Sequence, residues 1–197
     1  FDSRRVAPPF VIFVFGGSQG ASGINRMMVE AASDFLSLQN KISIIHQTGD
    51  KDFQWVCDEY KKSGLKVEVH KFIDNMQEKY NMASLVICRA GSGTIAELGA
   101  TKNAAVLIPF PQSAQNHQVH NALRVERAEA GIMLLQAKNG VDTKGSELYS
   151  LIAKLMDDPV KLSQMREKIT GFHKPDATKK IIEIMICLNN KKKKYIS

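Results

Sequence analysis

The sequence is poor in cysteine and has no long apolar run, and both absences narrow the classes of protein it can be. Its three cysteines, Cys57, Cys88 and Cys187, are odd in number and show no CxxC spacing. A disulfide framework or a zinc site is therefore not indicated, and we expect a reduced, cytosolic protein. No apolar run approaches the roughly 20 residues that a membrane-spanning helix needs.

The net charge of +7 is a weak argument for nucleic-acid binding, because four of the positive charges are the lysine run 191–194. The rest of the chain carries about +3, and we predict no nucleic-acid partner. We interpret residues 190–197 as a basic tail in solvent, with contact to anionic lipid as the alternative. Residues 1–9 are polar, basic and proline-containing, and begin with Phe1 in place of Met. We expect them to be a linker from a missing N-terminal domain.

Strand and helix patterns alternate along residues 10–189, which we interpret as one domain. Short runs rich in β-branched residues predict six strands, and apolar residues spaced three and four apart predict helices between them. This order predicts an α/β fold: a parallel six-stranded sheet with helices on both faces. The predicted strands are 10–15, 41–46, 66–70, 84–88, 104–109 and 132–135, and the predicted helices are about 24–38, 53–62, 76–82, 94–100, 116–130, 146–157, 160–170 and 177–188.

Ligands of such sheets bind where the strands end, so the glycine-rich turn at residues 16–20 is a candidate site. Glycines let a backbone come close to a ligand, and the following helix points free N–H groups at the turn. A phosphate cradle with Ser18 as a donor is therefore favoured. A P-loop is excluded because no GK[ST] follows. A dinucleotide fingerprint fails because the order is GGxxG and the second strand ends in His46-Gln47, where an acidic residue is expected.

Two other interpretations of this turn stay open. Gly16-x-Ser18-x-Gly20 matches the GxSxG of a nucleophile elbow, which needs a histidine and an acidic partner. The spacing suggests no pairing with His117, His120 or His173. The turn could also be a tight turn that binds nothing.

A second glycine turn, residues 89–93, follows the fourth strand and opens a helix at Thr94. Two interpretations are balanced. The spacing Thr94-x-x-Glu97 is that of a capping box, which satisfies two backbone donors within the chain. Alternatively, exposed N–H groups meet a phosphate or a sugar, and the Glu97 carboxylate accepts from ribose hydroxyls.

Two further stretches follow the fifth and third strands. Residues 115–118 and Asn121 offer uncharged amides, which both donate and accept and so suit sugar hydroxyls. Phe72 and Ile73 could hold a flat base between them or could belong to the core.

The sequence does not favour a metal site, and we predict no metal and no cofactor. His117 and His120 stand three apart on a predicted helix, but no third ligand has suitable spacing. Asp50-Lys51-Asp52 has the form of a DxD motif, yet capping of the following helix by Asp50 or Asp52 is the better interpretation.

Four stretches stand together in the order and spacing of a known family. They are GGSQGASGIN at 16–25, FIDNM at 72–76, CRAGSGTIAE at 88–97 and the HQ…NA of 117–122. The chain resembles the C-terminal domain of the MurG family, bacterial peptidoglycan glycosyltransferases that transfer N-acetylglucosamine from UDP-GlcNAc to the lipid-linked muramyl-pentapeptide. The resemblance covers about residues 10–188. It implies a GT-B fold, of which this chain is one Rossmann-like half, the half that holds the nucleotide-sugar donor.

The resemblance also implies roles for residues of these motifs. Ser18 would contact the diphosphate, Ile73 would bind uracil through its backbone, and Gln118 would recognise N-acetylglucosamine. The turn at 92–94 would meet the phosphate and the sugar, and Glu97 the ribose hydroxyls. The implied substrate-binding residues are Ser18, Ile73, Ser92, Gly93, Thr94, Ile95, Ala96, Glu97 and Gln118, with Gly17, Gln19, Phe72, Met76 and Asn121 as additional candidates.

The resemblance implies that a missing N-terminal half carries the acceptor site, the catalytic base and the membrane-facing patch. We therefore expect this fragment to bind donor without turnover and to hold no catalytic residue. The implied partners are UDP-GlcNAc and a lipid-linked acceptor, and the full-length protein would be cytoplasmic and peripheral on the inner face of the cell membrane. The alternatives are the donor subunit of a two-chain N-acetylglucosaminyl transferase, a non-catalytic nucleotide-sugar sensor and a serine hydrolase using Ser18.

Overall fold

The computed structural model describes residues 9–136 and 145–194 and contains a sheet of six parallel strands. The strands are β1 (Phe10–Phe15), β2 (Ile42–Gln47), β3 (Glu68–His70), β4 (Leu85–Cys88), β5 (Ala105–Leu107) and β6 (Ile132–Met133). Their order across the sheet is β3-β2-β1-β4-β5-β6. The predicted α/β fold with a parallel sheet is confirmed.

Helices fill the connections between the strands and follow the last of them. They are α1 (Ser22–Glu30), α2 (Ala32–Phe35), α3 (Phe53–Ser63), α4 (Met76–Met82), α5 (Ser92–Thr101), α6 (His117–Arg127), α7 (Gly145–Met156), α8 (Pro159–Ile169) and α9 (Ala177–Lys194). Within the described ranges, no helix combines the length and the apolar character needed to cross a bilayer.

Two predicted helices differ from the observed ones by more than a few residues. The stretch predicted over 24–38 is divided, because α1 ends at Glu30, α2 follows Ala31, and a 3-10 turn covers Leu36–Leu38. α9 continues to Lys194 and not to 188, so residues 190–194 of the predicted tail are helical. The rest of that tail, residues 195–197, and residues 1–8 of the predicted linker lie outside the described residues.

β1 lies at the centre of the sheet because its residues are apolar on both faces. It pairs with β2 on one side and with β4 on the other. Ile12 and Val14 pack into a core with α1, α2, α3, α7 and α8, whereas Phe13 and Phe15 pack into a second core with α4, α5 and α6. Successive side chains of a strand point to opposite faces, so one short run anchors both helix layers.

The chain reverses its direction across the sheet between β1 and β4. β2 and β3 lie on one side of β1, whereas β4, β5 and β6 lie on the other. The turns after β1 and β4 therefore lead to opposite faces and leave a crevice at the carboxyl ends of these two strands. Ligands of open parallel sheets bind at such a crevice, and both glycine turns stand there.

A chain of buried polar groups holds α1 and α3 to the end of β2. His46 is fully buried, with Nδ1 2.9 Å from the Tyr60 hydroxyl and Nε2 3.0 Å from Asn25 Oδ1. Because the Asn25 oxygen can only accept, Nε2 carries the proton and Nδ1 accepts from Tyr60. Asn25 in turn donates to the Thr48 carbonyl at 3.0 Å and to Asp52 at 2.8 Å. Burial lowers the pKa of His46 to about 3.

The neutral His46 imidazole makes the fold sensitive to mild acid. The unfolded chain protonates this imidazole below about pH 6.5, whereas the folded state does so only near pH 3. The unfolded state therefore binds more protons between these values, and the free energy of unfolding decreases as the pH falls, by up to about 1.4 kcal/mol per pH unit. Urea unfolding at about pH 7, 6 and 5 measures this slope.

The control is His46→Gln, because a neutral amide keeps one donor and one acceptor at this position. Carboxylates titrate alike in both proteins, so the difference in slope isolates His46. We expect the variant to be less stable at neutral pH but less sensitive to acid. Equal slopes in the two proteins would show that His46 is not held neutral by burial.

Candidate functional site

The first glycine turn packs against the loop that follows β2. The Gly20 N–H donates to the Gly17 carbonyl at 2.9 Å and closes the turn. Gly20 has a φ of +76°, and a Cβ atom there would lie 1.9 Å from the Thr48 carbonyl oxygen. A Cβ atom at Gly49 would lie 2.3 Å from the Gln19 carbonyl oxygen. No side chain fits between the two loops, so glycine is required at both positions.

The N-terminus of α1 has no cap from a side chain. The helix follows Ala21, makes no side-chain cap hydrogen bond and has no acidic residue in its first turn. Its first N–H groups and the positive end of its dipole therefore face the glycine turn. Ser18 and Gln19 are exposed in that turn. The arrangement favours an anionic group such as a phosphate.

The geometry of Ser18 argues against a nucleophile elbow. An elbow serine stands at a strained turn directly between a strand and a helix. Here α1 begins only at Ser22, and Ser18 is not among the described residues with a positive φ. Ser18 is an unstrained residue at the tip of a turn.

Arg89 brings a positive charge to the crevice, although the sequence alone does not single it out as a binding residue. Its guanidinium donates to the carbonyls of Ile108 at 3.0 Å and Pro109 at 3.1 Å, and to Gln136 Oε1 at 2.9 Å. These neutral oxygens hold the guanidinium at the ends of β4, β5 and β6. Burial lowers the pKa of Arg89 to about 10, so it stays charged at neutral pH. The only sequence signal is a lone cation directly after a buried strand.

Gly16 and Gly20 of the first glycine turn, the start of α1 and Arg89 line one pocket of about 390 Å³, and Ser18 is not among its lining residues. Gln118 of α6 lines the same pocket, and its side-chain oxygen accepts from the Phe110 N–H at 3.0 Å, which fixes the orientation of the amide. The pocket therefore combines backbone N–H groups, one cation and one neutral amide, which suit a phosphorylated sugar. Its lining residues are Gly16, Gly20, Ala21, Ser22, Gly23, Arg89, Phe110, Gln118 and Gln136.

The second glycine turn does not form the capping box that its spacing allows. α5 begins at Ser92, after Gly91, and its first turn has neither a side-chain cap nor an acidic residue. Thr94 therefore lies inside the helix, and Glu97 accepts a hydrogen bond of 2.8 Å from the Tyr80 hydroxyl. The crevice thus has a second uncapped helix start, and Tyr80 holds the Glu97 carboxylate in place.

The other candidate residues of α5 differ in exposure. Ser92 and Gly93 are exposed and Ala96 is half-buried, whereas the Ile95 side chain is only 6% exposed. The Ile95 N–H donates to the Gly91 carbonyl at 3.0 Å, so this backbone donor is already engaged. Ser92, Ile95 and Asn121 line another pocket, of about 360 Å³. Of the predicted residues, Gln118 therefore lines the first pocket and Ser92, Ile95 and Asn121 line the second, whereas the others line neither.

In the segment after β3, one residue is placed to contact a base and the other belongs to the core. Phe72 is 54% exposed and available to a flat ligand, whereas Ile73 is 5% exposed and packs in the core with α4 and α5. Met76 is half-buried against the same core. The Ile73 N–H donates to Gln47 Oε1 at 2.9 Å, so this backbone donor is already engaged within the chain.

The DxD-like stretch does not cap α3 as predicted. Asp52 precedes the helix but makes no side-chain cap bond, because its carboxylate accepts from Asn25 instead. Asp50 forms an exposed salt bridge with Lys71 at 2.9 Å. In the part of the chain that the structure describes, no three His, Cys, Asp or Glu side chains cluster closely enough to hold a metal ion.

Comparison with known proteins decides the family. The sequence profile described as Glycosyltransferase family 28 C-terminal domain matches residues 11–181. This chain belongs to glycosyltransferase family 28. The resemblance predicted from the four motifs is thereby confirmed at the level of the family, and the match covers nearly all of the region in which those motifs stand.

Two relatives of the family 28 chain are each named UDP-N-acetylglucosamine--N-acetylmuramyl-(pentapeptide) pyrophosphoryl-undecaprenol N-acetylglucosamine transferase. The protein from Thermodesulfovibrio yellowstonii is 41% identical over 182 residues, which are 92% of this chain and 49% of the relative. The protein from Geobacter sp. strain M21 is 37% identical over 191 residues, which are 97% of this chain and 50% of the relative. The chain therefore spans about half the length of these relatives.

A solved structure supports the same assignment. The crystal structure of Acinetobacter baumannii MurG matches with a TM-score of 0.78 and 27% identity, over 91% of this chain and 50% of that chain. The family 28 domain is thus the Rossmann-like half of a GT-B protein, as the resemblance implies.

Gly20→Ala tests the contact between the two loops. We expect it to lower the free energy of unfolding by about 3 kcal/mol, because a positive φ and a backbone clash combine. Gly64→Ala is the matched control, since Gly64 has a similar φ of +79° but an added Cβ atom meets nothing within 4 Å. That variant should lose only about 1 kcal/mol. Urea unfolding measures the two losses of stability, and titration with pyrophosphate measures the binding of each variant.

Gly20→Ala should also weaken pyrophosphate binding, whereas Gly64→Ala should leave it unchanged. The reason is that Gly20 lines the pocket in front of α1, whereas Gly64 ends α3. Similar losses of stability in the two variants, with unchanged pyrophosphate binding in both, would contradict this account of the turn.

Proposed function

We propose that this family 28 domain binds UDP-GlcNAc as the donor half of an inverting glycosyltransferase. The proposed reaction moves N-acetylglucosamine to the lipid-linked muramyl-pentapeptide and converts lipid I to lipid II in peptidoglycan synthesis. The observation that carries the proposal is the pocket in which the α1 start, the Arg89 guanidinium and the Gln118 amide converge. The names of both relatives describe the same transfer.

The diphosphate of the donor is proposed to lie in this pocket. The first N–H groups of α1 and the hydroxyl of Ser18 donate to its oxygens. Arg89 supplies the positive charge. Three neutral oxygens accept hydrogen bonds from its Nη1 and Nη2 atoms and keep the guanidinium in position. Gly17 and Gln19 take part through the backbone of the same turn.

Uridine is proposed to lie beside the segment after β3. The exposed Phe72 ring offers a face to the base. The Ile73 carbonyl accepts from the uracil N3–H, because the Ile73 N–H already donates to Gln47. Glu97 accepts from the ribose hydroxyls, and the Tyr80 hydroxyl fixes its carboxylate through the 2.8 Å hydrogen bond.

The N-acetylglucosamine is proposed to lie between α5 and α6. Gln118, oriented by the Phe110 N–H, donates its side-chain NH₂ group to a sugar hydroxyl. Asn121 is fixed by its 3.1 Å hydrogen bond to the Ala90 carbonyl and offers its side-chain oxygen. Residues 92–94 contribute backbone N–H groups at the uncapped start of α5, whereas the Ile95 N–H already donates to the Gly91 carbonyl.

In the proposed step the acceptor 4-hydroxyl attacks the anomeric carbon, and the bond from this carbon to UDP breaks with inversion. The electron pair of that bond leaves with UDP, so negative charge grows on the diphosphate. Arg89 and the two uncapped helix starts stabilise this charge from fixed positions. A base outside these 197 residues takes the proton of the acceptor, and we expect this domain alone to bind donor without turnover.

The acceptor site and the membrane contact are proposed to lie in the part of the protein that corresponds to the uncovered half of the relatives. The relatives' name includes pyrophosphoryl-undecaprenol, a lipid carrier. We therefore propose a cytoplasmic protein that is peripheral on the inner face of the cell membrane.

Glu97→Gln tests the ribose contact. We expect the affinity for UDP to fall about tenfold, because a charged acceptor is lost. The affinity for 2′-deoxy-UDP should fall less, since one of the hydroxyls that Glu97 contacts is already absent. Isothermal titration calorimetry measures both, with Glu59→Gln as the control, because Glu59 forms a surface salt bridge with Lys62 on α3. Equal losses for the two nucleotides would rule out the ribose contact.

Gln118→Ala tests the sugar contact. The variant should bind UDP-GlcNAc about tenfold more weakly and UDP as well as the native chain does, because only the sugar meets the Gln118 amide. Gln54→Ala, on the exposed side of α3, is the control. Unchanged selectivity for UDP-GlcNAc over UDP-GalNAc and UDP would remove Gln118 from the sugar site. If the native chain binds no UDP, the donor-site proposal itself fails.

A further inference from the structure

One buried side chain joins the two ends of the proposed nucleotide site. Gln47, the last residue of β2, is only 2% exposed. Its Nε2 atom donates to the Gly17 carbonyl at 2.9 Å, and its Oε1 atom accepts from the Ile73 N–H, also at 2.9 Å. One amide group thus connects the glycine turn after β1 with the segment after β3.

The chemistry of this link is specific to an amide. Gly17 offers an acceptor and Ile73 offers a donor, so the connecting group must donate at one end and accept at the other. An amide does both through a rigid plane, and a buried group whose hydrogen bonds are made loses free energy if either is broken. A displacement of Ile73 is therefore transmitted to Gly17.

The Gly17 end of the glycine turn lacks the close packing that Gly20 has against Thr48. Gly17 is exposed with a φ of +98°, and an added Cβ atom there would meet nothing within 4 Å. Among the described residues, its carbonyl accepts from the Gly20 N–H, which closes the turn, and from Gln47 Nε2, each at 2.9 Å. The Gln47 amide therefore bonds directly both to this turn and to the segment that carries Phe72.

We propose that Gln47 is a positioning residue that couples binding of the base to the conformation of the diphosphate-binding turn. The inference rests on the proposed function, that this domain binds a uridine diphosphate. A base seated on Phe72 and Ile73 fixes the Gln47 amide, and this amide fixes the Gly17 carbonyl and the turn in front of α1. The base and the diphosphate are then bound cooperatively, although Gln47 itself touches neither.

Uridine is the probe that separates this coupling from direct contact, because it has no phosphate to reach the turn. In the native chain, ¹H–¹⁵N spectra should show that uridine shifts the amides of Phe72 and Ile73 and also those of Gly17 and Gly20. In Gln47→Met, an unbranched side chain of similar length without the amide, the first pair should still shift and the second should not. The affinity for UDP should fall about tenfold, and that for uridine should change less.

A destabilised control distinguishes coupling from loss of structure. Leu162→Ala removes a buried side chain from α8 in the core with α1, on the face away from the Phe72 segment. It lowers stability by truncating the core, but it should keep the uridine-induced shifts at Gly17 and Gly20. A structural role alone would predict the same response in Leu162→Ala and in Gln47→Met.

Gln47→Glu gives a second test within a single protein. Burial at this position should raise the pKa of the new carboxyl. The carboxyl is then protonated at about pH 5.5 and still donates to the Gly17 carbonyl, whereas at about pH 8.5 it is ionised and repels that oxygen. The uridine-induced shifts at the turn should therefore be present at the lower pH and lost at the higher one. The native chain should show them at both pH values.

The outcomes separate the inference from the function on which it rests. If uridine shifts neither Phe72 nor Ile73, the proposed nucleotide site is wrong. If uridine shifts these two amides and the turn equally in the native chain, in Gln47→Met and in Gln47→Glu at both pH values, the nucleotide site stands and the coupling through Gln47 is overturned.

Discussion

Two loops meet backbone to backbone at the carboxyl edge of the sheet, and the arrangement of the crevice depends on that contact. At Gly20 and Gly49 any side chain would collide with a carbonyl of the opposite loop, so the loops pack together as one unit. The buried chain from Tyr60 through His46 to Asn25 fixes the same unit to the helices behind it. The start of α1, which faces the pocket, takes its position from this contact.

The sheet could be predicted from the sequence because its strands are apolar runs. The end of a strand could not be predicted where polar residues continue it. The strand predicted over 41–46 is observed over Ile42–Gln47, and its last two residues are His46 and Gln47. Both side chains are polar, and both are buried because their partners come from distant parts of the chain. A hydrophobicity pattern cannot reveal such partners, because it assumes that polar residues are exposed.

The candidate site likewise contains some residues that the sequence identifies and others that it does not. Ser18, Gln118 and the turn of Ser92 are recognisable because they belong to motifs of short spacing. Arg89 and the Tyr80–Glu97 pair are not, because their geometry arises from residues that are 17 to 47 positions apart. The capping box that Thr94 and Glu97 allow illustrates the physical reason. Its local spacing is correct, but a tertiary hydrogen bond from Tyr80 engages Glu97 and α5 starts earlier.

The uncapped starts of α1 and α5 have a thermodynamic consequence for the unliganded domain. The first N–H groups of these helices have no side-chain cap, so in the unliganded domain they donate to water. An anion bound there accepts these hydrogen bonds in place of the water. Because such a ligand binds the folded state and not the unfolded one, it raises the free energy of unfolding, by about 2.7 kcal/mol at a hundred times its Kd. Under the proposed function, the fraction of this protein that stays folded is therefore tied to the concentration of the anionic donor.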